Sequence, residues 1–321
     1  MRDSRAFLSD LRGMKGLVLK STGKWYDVKG DDGLKYRCQV RGKLRLKGLS
    51  TTNPVAAGDR VEIHPEQDDQ AVITDVEERR NYIIRRSVNL SKEAQIVAAN
   101  IDLAVLVITV AQPQTTFGFI DRFLVTAEAY RVPVVLLFHK MDQYDEDEID
   151  LVYDYASVYA EIGYPCLRSS LVTGEGLHDL QAMMKDKVTL FSGHSGTGKS
   201  SLVNHFIPGL NARIGEISDW SGKGQHTTTF AEMHELPFGG YIVDTPGIKG
   251  FGLVDIPKQE LGHYFKEFFA LLPECRFGNC THQNEPGCAV RRALEEGTIA
   301  QSRYDSYISM WADDEERSPY R

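Results

Sequence analysis

The segment Gly193-His194-Ser195-Gly196-Thr197-Gly198-Lys199-Ser200 fits the pattern G-x-x-x-x-G-K-[ST], which is typical of loops that bind nucleoside triphosphates. Glycines in such a loop let several backbone N–H groups point inward at phosphate oxygens. Residues 187–191 before the loop read as a buried strand, and residues 200–206 after it read as a helix. The sequence therefore predicts a strand, a phosphate loop and a helix whose positive N-terminal end adds to the phosphate site.

Two side chains at the end of this loop have predicted roles. Lys199 should reach the β- and γ-phosphates, and the Ser200 hydroxyl should bind Mg²⁺. The residues expected to surround the phosphates are Gly193, His194, Ser195, Gly196, Thr197, Gly198, Lys199, Ser200 and Ser201.

The composition indicates a globular protein. The chain has 321 residues, of which 42% are hydrophobic and 26% are charged, enough for two or three domains with cores. No apolar run approaches the roughly 20 residues that cross a bilayer, and residues 1–10 lack an apolar signal core. We therefore expect a cytoplasmic protein without membrane attachment. We also expect a monomer.

The charge is unevenly distributed along the chain. The net charge is -8, yet residues 1–60 hold 14 Lys and Arg against 6 Asp and Glu. Such asymmetry is a hint of nucleic-acid contact, although a solvated basic face would look the same. The basic stretch at residues 41–47 leaves the same two interpretations open, phosphate contact or solubilising charge.

The N-terminal region, from about residue 14 to 80, has the pattern of a small β-barrel. Short segments with alternating apolar and polar residues are separated by glycine-rich turns. The predicted strands are 16–20, 25–28, 35–40, 58–63 and 71–76. Five such strands favour an OB-type barrel, a fold that binds oligonucleotides.

The middle of the chain alternates strands with helices, which predicts a doubly wound α/β sheet. Residues 79–91 are charged and are predicted to form a linker before it. The predicted strands are 101–108, 132–138 and 164–167, and the predicted helices are 119–130, 145–162 and 176–184.

A guanine-recognition segment is predicted at the end of the second of these strands, at His139-Lys140-Met141-Asp142. Ligands of such sheets bind at the carboxyl ends of strands. The Asp142 carboxylate could accept hydrogen bonds from guanine N1–H and its exocyclic amine, a donor pair that adenine lacks. Residues from Ser169 to Gly176, after the third strand, could face the guanine carbonyl with their backbone.

Two segments after the phosphate loop are predicted to respond to the γ-phosphate. In the Gly- and Thr-rich residues 222–229, one threonine should complete the Mg²⁺ shell; we assign Thr228, with Thr227 and Thr229 as alternatives. Strands over 230–236 and 241–243 follow. Asp244 should hold Mg²⁺ through water, and the Gly247 N–H should approach the γ-phosphate.

The C-terminal segment, from about residue 256, is predicted to be helical over 260–272, 289–300 and 302–311. Cys275, Cys280, His282 and Cys288 lie within 14 residues, and this Cys₃His set suits one tetrahedral structural Zn²⁺ per chain. The alternative is three free cysteines and a surface histidine.

The order of the motifs is rotated relative to Ras-like GTPases, because the guanine segment precedes the phosphate loop. Such a circular permutation is feasible because domain termini often lie close together. With a barrel before it and a Cys₃His segment after it, the whole chain resembles the circularly permuted RsgA (YjeQ) family. The resemblance implies three domains, which we place at 1–80 (OB-fold, RNA-binding), 81–255 (P-loop GTPase) and 256–321 (helical, zinc-binding).

The family resemblance also implies an activity. We expect hydrolysis of GTP to GDP, stimulated by the small (30S) ribosomal subunit and acting late in its maturation, with barrel and zinc segment binding the subunit and its rRNA. The alternatives are a regulatory GTPase with protein partners, a nucleic-acid-binding module with a vestigial nucleotide site, and an ATP-dependent enzyme.

Two positions bear on how such a site would work. His139 stands where the family usually has Asn, and a neutral histidine can still donate one N–H. Ile248 stands where Ras carries the glutamine that orients water, a replacement that the family shares. Intrinsic hydrolysis should therefore be slow, with the base supplied by His226 or by a partner.

Overall fold

The computed structural model describes residues 13–41, 54–66, 69–86, 94–210, 231–244 and 256–312. The strands in these ranges are β1 (Met14–Ser21), β2 (Tyr26–Gly30), β3 (Lys35–Val40), β4 (Arg60–Pro65), β5 (Gln70–Val76), β6 (Tyr82–Arg86), β7 (Ala94–Ala99), β8 (Leu103–Ile108), β9 (Val134–His139), β10 (Cys166–Ser169), β11 (Val188–Ser192), β12 (Glu232–Glu235) and β13 (Tyr241–Asp244). The α-helices are α1 (Phe117–Ala129), α2 (Glu146–Glu161), α3 (Leu177–Met184), α4 (Lys199–Phe206), α5 (Lys266–Leu271), α6 (Ala289–Glu295) and α7 (Gln301–Ala312).

The chain divides into two compact units, each assembled from separate segments. The first comprises Met1–Leu103, Gln181–Phe191 and Val203–Ile248, and the second comprises Ala104–Leu180, Ser192–Leu202 and Lys249–Arg321. The domain boundaries predicted from the sequence follow the chain instead of these units and stay a prediction.

Strands β1 to β5 of the first unit form a closed barrel. Their order is β1-β2-β3-β5-β4, and β4 pairs back with β1. Only the β3–β5 pair is parallel among these barrel strands. Alternate residues face the core, where Val18, Val28, Cys38, Ile63 and Ile73 are fully buried. The predicted five-stranded OB-type barrel is confirmed.

The linker predicted over residues 79–91 is wrong in part, because β6 lies within it. β6 pairs antiparallel with β7, and Ile83 and Ile96 are both 2% exposed. The charged residues on either side hide a short Tyr-Ile-Ile run, which has high strand propensity. The buried isoleucines supply the core contact that holds this hairpin in place.

Parallel and antiparallel pairs complete the strands of the first unit. β11 pairs with β13 in parallel, and β12 pairs with β13 antiparallel. β12 also meets β1 of the barrel at Lys20 and Glu232, whose side chains form an ion pair of 2.5 Å.

The second unit holds the remaining parallel strands, in the order β10-β9-β8, with helices between them in the chain. β8 and β9 are buried at every position, as expected for strands covered on both faces. Thr116 caps α1, and Asp145 and Glu148 form a capping box on α2. The predicted α/β alternation is confirmed in these elements.

Two of the three C-terminal helices are shorter than predicted, whereas α7 includes the whole of the predicted 302–311. The helix expected over 260–272 is a 3₁₀ helix (Lys258–Tyr264) followed by α5, because the fully buried Phe265 between them has extended backbone angles. The helix expected over 289–300 ends at Glu295. Gly297 there has φ 74°, and the N–H groups of Gly297 and Thr298 bond to the Leu294 and Ala293 carbonyls, as in a Schellman motif. No helix among the described residues is long and apolar enough to cross a membrane.

Candidate functional site

The predicted phosphate loop lies between β11 and α4, and its glycines are required by their surroundings. Gly193, Gly196 and Gly198 all have positive φ angles. A Cβ on Gly193 would lie 2.4 Å from the Val107 carbonyl oxygen, and one on Gly198 would lie 2.6 Å from His139 Cδ2. These two positions therefore admit no side chain, and the loop backbone lies close against the ends of β8 and β9.

Lys199 begins α4, and its ammonium group folds back onto the loop. Nζ donates to the Gly193 carbonyl at 2.8 Å and to the His194 carbonyl. Burial lowers the pKa of Lys199 to about 8. Thr197 is buried, and its hydroxyl donates to the same His194 carbonyl at 3.0 Å. A loop that occupies its own lysine with backbone carbonyls can transfer that charge to a phosphate.

Other loop residues differ in exposure. Ser195 and Gly196 are exposed, His194, Ser200 and Gly193 are partly buried, and Ser201 is exposed on α4. The segment 193–201 thus presents an open face together with buried anchors, the arrangement expected of a loop that admits a ligand.

His139 joins the end of β9 to the phosphate loop and to β10. It is 2% exposed, and Nδ1 lies 2.9 Å from the hydroxyl of Ser169, which is itself fully buried. The other edge of the ring packs against Gly198. Burial lowers the pKa of His139 to about 4, so the imidazole is neutral at pH 7. Because the Ser169 side chain is fully buried, it acts on the site indirectly, through its contact with the His139 ring.

Asp142 lies in a 3₁₀ turn (Met141–Gln143) that follows Lys140, which has φ 67°. The carboxylate is exposed and accepts a hydrogen bond from the Ser170 hydroxyl. Ser170 Oγ in turn accepts from the N–H groups of Val172 and Thr173, at 3.0 and 3.2 Å. The loop after β10 thereby orients the carboxylate before any ligand arrives.

The remaining predicted nucleotide residues are described only in part. Asp244 is the last residue of β13. His226, Thr228 and Gly247 lie outside the described residues, as do Ile248 and most of the basic stretch 41–47.

The four predicted metal ligands come together in the C-terminal part of the chain. The ligand atoms of Cys275, Cys280, His282 and Cys288 all lie within 4.8 Å of one another. His282 Nδ1 lies 3.7 Å from Cys275 Sγ and 3.5 Å from Cys288 Sγ. Zn–S and Zn–N bonds of normal length would place ligand atoms about 3.5–3.8 Å apart in a tetrahedral site. The donor set and these spacings fit such an ion.

The cluster is closed and internally supported. Three of the four ligands are buried. Burial raises the pKa of the Cys280 thiol to about 12, so a thiolate there requires a cation beside it. On the other side of the His282 ring lies Gly262, where a Cβ would come within 3.0 Å of Cδ2. A ligand histidine held between a backbone and its partner sulfurs has little freedom to move.

Three residues missed by sequence reasoning hold the loop that carries His282. The Glu285 carboxylate accepts hydrogen bonds from the N–H groups of Thr281, Gln283 and Asn284. Burial acts to raise the pKa of Glu285, but these hydrogen bonds, with those from Thr281 the strongest, lower it to about 2. From α7, Tyr304 donates to the His282 carbonyl at 2.9 Å and Tyr307 to the Thr281 carbonyl at 2.6 Å. Their spacing in the sequence carries no signal for this role, and the same is true of Ser170.

Comparison with protein-family models gives two matches that together span most of the chain. The model described as RsgA N-terminal domain matches residues 15–73, and the model described as RsgA GTPase matches residues 76–254. The first match coincides with the barrel, and the second contains the predicted guanine segment and the predicted phosphate loop.

Curated relatives are similar over nearly the full length. The Small ribosomal subunit biogenesis GTPase RsgA of Bacteroides fragilis (strain ATCC 25285) is 56% identical over 303 residues, covering 94% of this chain and 98% of the relative. The protein of the same name from Porphyromonas gingivalis (strain ATCC 33277) is 53% identical over 313 residues, covering 96% and 99%.

Two solved structures share the fold. YjeQ from Thermotoga maritima superposes with a TM-score of 0.77 at 37% identity, covering 94% of this chain and 98% of that one. YloQ, described as a circularly permuted GTPase, gives a TM-score of 0.74 at 29% identity, covering 97% and 98%. The rotated motif order therefore has a solved counterpart.

Proposed function

This chain belongs to the RsgA family of GTPases, and from that premise we propose that it hydrolyses GTP on the small ribosomal subunit, late in the assembly of that subunit. The observation that carries the proposal is the near-complete coverage, at 56% identity, by a relative named for small-subunit biogenesis. The proposed role places the protein in the cytoplasm, where it acts as a monomer between encounters with the subunit.

Guanine selection is assigned to Asp142. Its carboxylate accepts from guanine N1–H and the exocyclic amine, and the hydrogen bond from Ser170 holds it in position. His139 takes the place of the usual asparagine, and its neutral ring supports the phosphate loop through Gly198. An adenine base would leave the Asp142 carboxylate without a matching donor pair, which is a strong basis for discrimination.

Phosphate binding is assigned to residues 193–201. Lys199 leaves the Gly193 and His194 carbonyls and pairs with the β- and γ-phosphates. Ser200, Thr228 and Asp244 would hold Mg²⁺, which neutralises charge that develops on the transferring phosphoryl group. Gly247 would contact the γ-phosphate through its N–H.

Water activation is assigned to His226 or to a group of the ribosomal partner, because Ile248 cannot orient water. Stimulation by the small subunit is then expected, since the partner either orders His226 or completes the site. Loss of the γ-phosphate would relax the Asp244–Gly247 segment, which runs in sequence toward the C-terminal region. The GTP form would bind the subunit and the GDP form would leave it.

The Cys₃His cluster is proposed to hold one structural Zn²⁺. Four protein donors would leave no open coordination position on the ion, whereas catalytic zinc sites keep one for water or substrate. The ion would therefore have a structural role. The fit of the His282–sulfur distances supports the assignment. The positive charge of the ion would stabilise the buried cysteines as thiolates. The helices around the ion, together with the barrel, would contact the rRNA.

The proposal is tested by GTP hydrolysis of the purified protein alone, with small subunits, and with large subunits. Small subunits should accelerate hydrolysis and large subunits should not. Lys199→Ala should abolish both rates, which controls for contaminating GTPases, and His226→Ala separates an internal base from one supplied by the ribosome. A rate unchanged by small subunits would contradict the ribosomal assignment and favour a regulatory GTPase with protein partners.

A further inference from the structure

The first turn of α1 carries two phenylalanines that contact different parts of the molecule. The Phe119 ring lies against the imidazole of His194, with ring centroids 3.8 Å apart and planes tilted by 31°. The Phe117 ring stacks on Tyr155 of α2, with centroids 3.9 Å apart. His194 is the second residue of the phosphate loop. Of the two phenylalanines, Phe119 therefore has its ring contact with the loop, and Phe117 has its ring contact with α2.

His194 is a key position in the internal bonding of the loop. Its carbonyl accepts from the Lys199 ammonium and from the Thr197 hydroxyl. Burial and the nearby Lys199 charge lower the pKa of His194, so the ring that meets Phe119 is neutral at pH 7. The Phe119 ring thus contacts the same residue whose carbonyl accepts from the phosphate-loop lysine.

The same helix is anchored at Asp121 by buried charges. Arg303 of α7 donates to Asp121 Oδ1 at 2.6 Å and to the two carboxylate oxygens of Glu267 at 2.7 and 3.1 Å. The Tyr159 hydroxyl donates to the same Asp121 oxygen at 2.8 Å. Arg303 is 1% exposed and Asp121 is fully buried. A network of this kind has one good geometry, because displacing any partner leaves a charge buried alone.

The elements on the far side of this network hold the metal cluster. We call residues 256–312 the metal module. Arg303 belongs to the helix whose Tyr304 and Tyr307 bond to the loop of His282, and Glu267 lies on α5 of the same module. Side-chain contacts thus link the metal module to Asp121 and the phosphate loop to Phe119, and the backbone of α1 joins these two residues.

We propose that Phe119 is a positioning residue for the phosphate loop, and that α1 couples GTP binding at this loop to the docking of the metal module through Asp121 and Arg303. The inference rests on nucleotide binding at residues 193–201 and is independent of the ribosomal partner. Coupling of this kind requires that the two contacts share one element, which α1 provides.

The test is the affinity of the full-length, metal-loaded protein for a fluorescent GTP analogue. Phe119→Leu should weaken binding about fivefold or more, the lower range of ordinary coupling between sites. Phe117→Leu is the matched control, with the same substitution two residues away, and should leave affinity unchanged. Arg303→Lys keeps the charge but loses the fork geometry, and should also weaken binding.

The double variant Phe119→Leu/Arg303→Lys decides whether the two contacts act through one path. If they do, the double variant binds as weakly as Phe119→Leu alone. Asp121→Asn, which keeps the shape, replaces Arg303→Lys if that protein does not fold. NMR titration of His194 adds a direct readout, because its pKa should rise towards an ordinary value in Phe119→Leu and stay unchanged in Phe117→Leu.

Three results would overturn the inference. These are equal affinities of the Phe119→Leu and Phe117→Leu variants, full additivity in the double variant, or an unmoved His194 pKa. Failure of the unaltered protein to bind the GTP analogue would remove the proposed nucleotide site as well. Loss of ribosomal stimulation with normal binding would leave the inference intact and contradict only the ribosomal role.

Discussion

The candidate metal cluster and the proposed nucleotide site are built in opposite ways. The cluster brings four donor atoms, from residues of which three are buried, within 4.8 Å of one another, which is a full donor set for a tetrahedral ion. The proposed nucleotide site has an exposed Asp142 and an open loop face at Ser195 and Gly196, with Lys199 held by backbone carbonyls that a phosphate could replace. The first arrangement suits a permanent ion, and the second suits a ligand that is exchanged and consumed.

The difference also lies in where the supporting hydrogen bonds go. At the cluster, Glu285 and two tyrosines bond to the backbone of the ligand loop, so the loop is held even at its peptide groups. At the nucleotide site, Ser170 bonds to the side chain of Asp142 and fixes its direction while leaving it in solvent. Support of the backbone makes a rigid anchor, and support of one functional group makes a recognition element.

The largest effect should come from opening the closed cluster with Cys288→Ser. We expect metal content to fall from one ion per chain towards none, and the metal module to unfold, because structural zinc supplies on the order of 10 kcal/mol of folding free energy. Metal analysis and circular dichroism measure both. Cys166→Ser is the control, since this half-buried thiol lies outside the cluster. A Cys288→Ser protein that keeps its metal and fold would remove the contrast with the nucleotide site.

A smaller effect is expected from changing the specificity of the open site with Asp142→Asn. Xanthine carries a carbonyl where guanine carries its exocyclic amine, so the new amide should donate to it while its oxygen still accepts from N1–H. The amide introduced at position 142 would face the guanine amine with a donor, so affinity for GTP should fall about 30-fold. Affinity for xanthosine triphosphate (XTP) should rise. Competition binding measures both, with the exposed Asp150→Asn on α2 as control. Unchanged GTP preference would show that Asp142 does not contact the base.

An effect of intermediate size is expected on the pH dependence of folding stability. The unfolded state binds a proton at His139 below about pH 6.5, whereas the folded state does so only near pH 4. The unfolded state therefore binds more protons between these values, and stability falls as pH decreases. From pH 7 to 5 this histidine should cost about 2 kcal/mol of unfolding free energy. Chemical denaturation should show that His139→Asn loses less stability than the unaltered protein. Equal losses would mean that His139 is not held neutral.

The smallest effect is expected for Ser170→Ala, which leaves the Asp142 carboxylate in place without the hydroxyl that orients it. Ser170→Ala removes the hydrogen bond to Asp142 and the two that Ser170 Oγ accepts from the Val172 and Thr173 N–H groups. GTP binding should weaken by about 1 kcal/mol, or roughly fivefold, because the carboxylate itself stays in place. Thr173→Ala in the same loop is the control, because its hydroxyl accepts only from the Glu175 N–H among the bonds seen here. If both variants bind GTP equally well, recognition at the open site depends on the carboxylate alone.

Local patterns allowed much of this molecule to be predicted from its sequence. Alternation of apolar residues located the barrel strands. The glycines and lysine of residues 193–200 predicted a phosphate loop, and cysteine spacing predicted the four side chains that come together as a candidate metal site. Each of these signals lies within a few residues of chain. The guanine segment at residues 139–142 was predicted in the same way, despite the histidine at position 139, and its role stays a prediction.

The remaining features depend on partners that are distant in the chain. Ser170, Glu285 and Phe119 matter because of what the fold places beside them, which no local pattern specifies. The β6–β7 hairpin was missed because flanking charge outweighed a three-residue apolar run. The break at Phe265 arises because its ring is buried against Phe268 and Tyr307, so tertiary packing overrides helix propensity.

We propose that the nucleotide bound at the open site governs the affinity of the protein for the small ribosomal subunit. The most direct measurement is the affinity of purified small subunits for the full-length protein, loaded either with a non-hydrolysable GTP analogue or with GDP. We predict tighter binding of the GTP-analogue form by about tenfold or more, within the range of ordinary allosteric coupling. Equal affinities of the two forms would contradict the account.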